Sequence, residues 1–181
     1  MRHEGLDTGF AVWFTGLSCS GKTTVSRLVE QSLRGRGLRV ELLDGDIVRQ
    51  NLSRGLGFSK ADRDENIRRI AFVSALLTRN GVVTLVAAIS PYRQARDAAR
   101  REIGRFVEVY VSCPVETCME RDSKGLYRKA AAGEIQGFTG ISDPYEPPLA
   151  PELVLRTDQE TPEVSAARVI SRLVELGLLA R

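Results

Sequence analysis

Histidine is nearly absent from this 181-residue chain, the one copy being His3 beside the N-terminus. A Ser-His-Asp triad or a histidine-ligated zinc site is thereby all but excluded. Cysteine is scarce too: Cys19, Cys113 and Cys118 form no CxxC pair and leave an odd one over. That argues against a disulfide framework and for a reducing, cytoplasmic address. No window approaches about 18 uninterrupted apolar residues, and the opening MRHEGLDTGF has no long apolar core, so neither membrane insertion nor export is expected. Aromatic residues make up 6% of the chain, and the net charge of +3 includes no basic block interleaved with them. Nucleic acid is therefore not an expected partner, and the mild positive surplus suits small anionic ligands better. Internal repeats and low-complexity segments are also lacking.

What is present is enough for one core. At 181 residues and 43% hydrophobic content, the chain is expected to form a single domain over residues 1–181. Its organising stretch is GLSCSGKTT, comprising Gly16, Leu17, Ser18, Cys19, Ser20, Gly21, Lys22, Thr23 and Thr24. This fits G-x-x-x-x-G-K-[ST], in which glycines let backbone N–H groups turn inward around an anion. Lys22 can reach the β- and γ-phosphates of a bound ATP, and the Thr23 hydroxyl can ligate Mg²⁺. Context supports the motif: the apolar run FAVWFT precedes it, and Val25, Leu28, Val29 and Leu33 follow at helical spacing. Strand, glycine loop and helix N-terminus together make the phosphate site.

Beyond the loop the pattern alternates. A second strand is predicted at about 38–43, ending in Asp44 and Asp46. A helix over about 62–79 has Ile67, Ile70, Ala71, Val73, Ser74 and Leu77 as its buried face, with Asn80 and Gly81 as its stop. A third strand is predicted over 82–90 and a charged helix through about residue 102. A fourth strand, FVEVYVS, leads to a short helix starting at Pro114. Residues 122–151, rich in glycine, proline and basic side chains, read as a long irregular insertion of a size to serve as a lid. A short strand near 153–155 and a helix over about 162–176 complete an α/β fold: a five-stranded, mostly parallel sheet with helices on both faces. Such a sheet binds ligands along its carboxyl edge.

Phosphoryl transfer requires a phosphate cradle, a metal ligand, charge neutralisation and a group that positions the attacking hydroxyl. Lys22 and the loop amides supply the cradle, and Thr23 with an aspartate, Asp44 in first place, serves Mg²⁺. Asp44 or Asp46 can accept the acceptor's proton, and the sequence does not divide these roles between the two. DGD also reads simply as an acidic turn capping the next helix. Arg49, Arg63 and Asn66 suit an acidic acceptor, although composition alone favours a solvated helix face for them. Phe58 can stack on a base, but an aromatic after glycine reads first as core. Nucleotide switching remains open at this level, as does a kinase for another small hydroxyl acceptor. SKAD at 59–62 is a poor and badly placed match to a guanine-reading motif.

The stretches FTGLSCSGKTT, LLDGDIVR, LGFSKADRDENIRRI, ISPYR, RDSKGLYRKA, GEIQGFTGI and DPYEPP, in this order from Phe14 to Pro151, resemble the adenylylsulfate kinase family of P-loop kinases. The resemblance implies a three-layer P-loop kinase sandwich with a lid at about 122–151. It also implies transfer of the ATP γ-phosphate to the 3′-hydroxyl of adenosine 5′-phosphosulfate (APS). On that resemblance Gly16 to Thr24 bind ATP, while Asp46, Arg49, Phe58, Arg63, Asn66, Ile89, Ser90, Lys124, Gly137 and Phe138 form the APS pocket, with Phe58 and Phe138 about the adenine. It further implies a homodimer, an ATP sulfurylase as a candidate partner, and Ser90 as a candidate phosphoserine. Direct in-line transfer needs no such intermediate, so Ser90 counts first as a binding residue. The sequence departs from the family at Cys19, Ile47, Ala88, Ala132 and Ser142, none of which removes a residue assigned to chemistry. A thiol at Cys19, beside the loop amides and Lys22, would make ATP binding sensitive to oxidants if reactive; a buried inert thiol is the plainer alternative.

Overall fold

The structure, a computed structural model, describes residues 9–180; His3 lies outside the described residues. Strand β1 (Ala11–Thr15) runs into the glycine loop and helix α1 (Lys22–Gly35), followed by β2 (Val40–Asp44), α2 (Gly45–Gln50), α3 (Lys60–Arg79) and β3 (Val83–Ala87). Then come α4 (Arg93–Ile103), β4 (Phe106–Ser112), α5 (Val115–Arg121), α6 (Leu126–Ala131), β5 (Leu153–Arg156) and α7 (Pro162–Glu175). The sheet has the order β2-β3-β1-β4-β5, and every pairing is parallel, with Val12 opposite both Leu85 and Val107. The expected sheet was mostly parallel; the observed one is wholly so.

Period-2 alternation in β1 explains the layers. Val12 and Phe14 face a core shared with α1 and α7, through Val25, Val29, Leu33, Val169 and Leu173. Ala11 and Trp13 face the other layer, where α3 and α4 contribute Ile67, Ile70, Ala71 and Ala99. A third, smaller cluster of Cys113, Cys118 and Tyr127 gathers Leu17, Cys19 and Phe138 around it. Core packing of Cys113 and Cys118 is as expected, and burial, first of all, pushes the Cys118 thiol up to about 12.

Two expectations change in detail. The buried face of α3 includes Arg63, Asn66 and Thr78, while Val73 and Leu77 are only half-buried. The insertion is not wholly irregular: α6 lies within it, its first turn held by Asp122, whose carboxylate accepts from the Tyr127 and Arg128 amides at 3.2 and 3.1 Å. SKAD has a local explanation, because Ser59 caps α3 by accepting from the Asp62 amide at 3.1 Å.

The ends of β1, β2, β3 and β4 deliver Gly16, Asp44, the 88–90 turn and Cys113 to one edge of the sheet. The connections leaving β1 and β3 reach strands on opposite sides of the sheet, which opens a crevice at that edge. No helix among the described residues is long and apolar enough to cross a membrane.

Candidate active site

The loop after β1 is held in shape by close approach. Gly16 has φ +153, and a Cβ there would lie 2.4 Å from the Val111 carbonyl oxygen, so no other residue fits. Leu17, Ser18 and Cys19 are half-buried and Ser20 is buried; Cys19 adopts φ 58 without being glycine. Gly21, at φ 100, caps α1, which places Lys22, Thr23 and Thr24 in its first turn. The Lys22 ammonium donates to the Gly16 and Leu17 carbonyls at 3.0 and 2.6 Å. Burial dominates its electrostatics and lowers its pKa to about 8.

Asp44 and Asp46 diverge. Asp44 is 5% exposed; its Oδ2 accepts from the Thr23 hydroxyl at 2.7 Å, and its Oδ1 accepts from the Asp46 amide at 3.0 Å. It therefore both caps α2 and reaches the phosphate loop, so the capping and metal-side readings are compatible. The Asp46 side chain is 65% exposed and ion-paired to Lys124. Thr23 and Asp44 present a hydroxyl and a carboxylate side by side, a hard-oxygen pair that suits Mg²⁺, which commonly takes few protein ligands and completes its shell with phosphates and water.

The other wall is made of side chains from distant segments. Phe58 is 59% exposed, which overturns its reading as core: the turn before α3 carries the ring outside both helix layers. The Arg49 guanidinium lies 4.5 Å from the ring centroid and that of Arg63 5.8 Å. Arg49 also donates to the Gly57 carbonyl at 2.8 Å, and burial, followed by the neighbouring Arg63 charge, lowers its pKa. Arg63 and Asn66 are both 6% exposed, so the solvated-face reading fails for them. Arg63 donates to the Phe58 carbonyl at 2.8 Å and to the Gly137 carbonyl and Thr139 hydroxyl. One buried guanidinium thus joins the two segments that carry Phe58 and Phe138. Asn66 Oδ1 is buried without a partner.

Gly137, at φ 64, turns the chain into Phe138, whose amide donates to the Ser142 hydroxyl at 2.9 Å. Ile89 is half-buried, its carbonyl accepting from Thr15 at 2.7 Å. The Ser90 side chain is committed within the fold. Its buried hydroxyl accepts from Trp13 Nε1 at 3.0 Å and donates to the Ala88 carbonyl at 3.2 Å. Arg96 fixes the turn further, donating to the Ser90 carbonyl at 2.6 Å, to Glu108 at 2.8 Å and to the Glu146 carbonyl at 2.7 Å.

Several further residues at this edge were assigned no role from the sequence, Thr157 outside every motif and Tyr145 within DPYEPP. Thr157 donates to the Ser20 carbonyl at 2.7 Å and accepts Arg121 on its own carbonyl at 2.6 Å, bracing the loop from β5. Tyr145 meets the Thr15 hydroxyl at 2.9 Å. A cleft of about 460 Å³ opens between Leu17, Tyr110 and residues 140–145. Position in the fold brings these groups together.

A parallel sheet, a phosphate loop backed by a helix, a hydroxyl–carboxylate pair and a second basic and aromatic wall define a P-loop kinase. Comparison with known proteins narrows the class. Residues 8–156 match the family described as adenylylsulphate kinase. The adenylyl-sulfate kinase of Rippkaea orientalis is 62% identical over 173 residues, covering 96% of each chain. The Mycobacterium tuberculosis APS kinase in complex with AMPPNP and APS superposes with a TM-score of 0.90 at 46% identity, covering 92% of this chain and 98% of that one. A probable bifunctional SAT/APS kinase of Sorangium cellulosum is 55% identical over 96% of this chain, which spans 30% of that longer protein. The chain belongs to the adenylylsulphate kinase family.

Proposed function

We propose that this chain transfers the γ-phosphate of ATP to the 3′-hydroxyl of APS, forming 3′-phosphoadenylyl sulfate and ADP, as a cytoplasmic step of sulfate assimilation. The observation that carries the reading is the divergence of Asp44 and Asp46, one carboxylate buried on the phosphate loop and the next exposed toward the second wall.

The loop amides and Lys22 hold the donor phosphates, with the ammonium moving from the Gly16 and Leu17 carbonyls to the β- and γ-oxygens. Thr23 and Asp44 would hold Mg²⁺, which when bound neutralises charge on the donor phosphates. Asp46 accepts the proton of the 3′-hydroxyl, and its ion pair with Lys124 holds the carboxylate in place until the acceptor arrives. Phe58 and Phe138 face the acceptor base, and Arg49 and Arg63 meet the phosphosulfate. Asn66, with its amide oxygen unpaired at this wall, can accept a hydrogen bond from the acceptor. Ser90 contributes backbone shape, because its hydroxyl is occupied by Trp13 and Ala88, and the transfer is direct. Residues 122–151 act as a lid that excludes water while both ligands are bound.

The working unit is a homodimer of single-domain kinases, as the family resemblance implies, and fusion in the Sorangium relative supports a sulfurylase as partner; light scattering that gives a monomer at working concentration removes the first expectation. The central test is ADP release with ATP and Mg²⁺ in the presence of APS, AMP, adenosine or no acceptor, with the new phosphate located by ³¹P NMR. Fast release with APS alone and a 3′-phosphate product is expected. ATP binding without turnover of APS would overturn the reading.

A further inference from the structure

Tyr127 was expected in neither substrate set, yet it touches both walls of the cleft. Its side chain is 1% exposed at the centre of the third apolar cluster. The ring meets Phe138 edge to face, with centroids 4.9 Å apart and planes at 79°, and the hydroxyl donates to the Ser18 carbonyl at 3.1 Å. Asp122 fixes the residue by accepting from its amide.

The contact with Ser18 bears on the phosphate site through peptide geometry. In a planar trans peptide the carbonyl and the following N–H point in opposite directions. Holding the Ser18 carbonyl toward Tyr127 therefore turns the Cys19 N–H away from Tyr127. Cys19 itself sits at φ 58, a left-handed conformation that is unfavourable for a non-glycine residue and that brings successive amides into an anion nest. The tyrosine thus binds, from outside the loop, the peptide that leads into its left-handed non-glycine residue.

We propose that Tyr127 is a positioning residue that couples the donor and acceptor sites: an acceptor base docked on Phe138 stiffens the Tyr127 ring, which holds the Ser18–Cys19 peptide in its phosphate-binding orientation, and ATP acts on Phe138 by the same path in reverse. This inference rests on the reading of Phe138 as an acceptor contact. Linkage requires the coupling to be reciprocal.

The test measures AMPPNP affinity of the full chain with and without saturating APS, and APS affinity with and without AMPPNP. The wild type is expected to show the same enhancement in both directions, about fivefold or more. Tyr127→Phe keeps the ring and removes only the hydroxyl; its enhancement is expected to fall toward one, while APS affinity alone shifts less than about twofold. A merely structural role would alter melting temperature or both affinities and leave their ratio intact. Wild-type enhancement retained in Tyr127→Phe overturns the coupling role and leaves the site reading standing, as does independent binding of the two ligands to the wild type. Failure of the wild type to bind APS overturns both. Hydrogen exchange on the wild type needs no variant: APS is expected to slow exchange at the amides of residues 18–21, and unchanged exchange there overturns the inference.

Discussion

From Gly16 to Thr24 the proposed donor wall is made of consecutive residues, mostly backbone, locked by contacts as close as that between Gly16 and the Val111 carbonyl. The facing wall draws Asp46 and Arg49 from around α2, Phe58, Arg63 and Asn66 from the start of α3, and Lys124 and Phe138 from the insertion, and it works through side chains. Backbone donors fixed by a helix N-terminus cost little reorganisation and recognise any polyphosphate. Side chains from several segments can be exchanged one at a time, and that is how one fold serves many acceptors. The two walls meet at Asp44 and Asp46, and the predictions below separate them.

The largest effect is expected on the donor side. Lys22→Ala removes the phosphate clamp, and ADP release is expected to fall by about 10⁴-fold while APS binding persists in calorimetry; loss of both would show that the walls are not separate. Asp46→Asn comes next. An amide cannot take the hydroxyl proton, so kcat is expected to drop by about a hundred- to a thousandfold, with AMPPNP affinity within about twofold of wild type. The same change at Asp44 is expected to act differently, raising the Mg²⁺ concentration needed for half-maximal rate, because this carboxylate is the partner of Thr23. A shared phenotype would erase the division between the two.

That division illustrates what could be read before any coordinates. The donor wall was legible because its geometry is encoded in contiguous spacing, and the sheet was legible because FAVWFT and FVEVYVS are too apolar for any place but a doubly covered strand. Asp44 and Asp46 could be named but not told apart: both follow β2, and only the turn into α2 decides which one faces Thr23. The plainer reading of Phe58 as core failed for a related reason, while the family resemblance places it in the acceptor pocket. Local chemistry favours burying a phenyl ring, whereas its exposure is set by the turn ahead of α3 and by two guanidinium groups, one of them from α2. Helix α6 was hidden in a glycine-rich composition, since a helix this short depends on the Asp122 contacts and on Tyr127 burying its ring. The brace Thr157 lies outside every motif, and Tyr145, although inside DPYEPP, has no role that its spacing discloses; both are polar residues whose importance is their place.

A smaller effect tests the acceptor wall alone. Phe58→Ala removes an exposed ring and therefore leaves the melting temperature nearly unchanged. If the ring stacks on the acceptor base, loss of a contact worth about 1–3 kcal/mol raises the KM for APS by about tenfold or more, with the KM for ATP unaffected. Equal changes in both constants would mean that Phe58 shapes the whole cleft and does not belong to one wall.

The smallest expected effect reports on the loop from within. Burial lowers the Lys22 ammonium to about 8 from an ordinary 10.5. Donor phosphates place negative charge beside it and raise its pKa again, so ATP binding takes up a proton wherever the free protein has lost one: about a tenth of a proton at pH 7, about half at pH 8 and nearly one at pH 9. Affinity for ATP is then expected to weaken by about twofold from pH 7 to 8 and about fivefold more from pH 8 to 9. The sign for stability is opposite. The unfolded chain keeps the proton up to about 10.5, so above pH 8 it binds more protons than the folded protein, and this group makes folding more favourable as pH rises. Calorimetry in buffers of different ionisation enthalpy measures the uptake, and urea titrations of the nucleotide-free protein measure the stability. Opposed trends place the ammonium in a desolvated loop that the donor recharges; proton uptake that stays near zero through pH 9 would mean that Lys22 is as well solvated as an ordinary surface lysine.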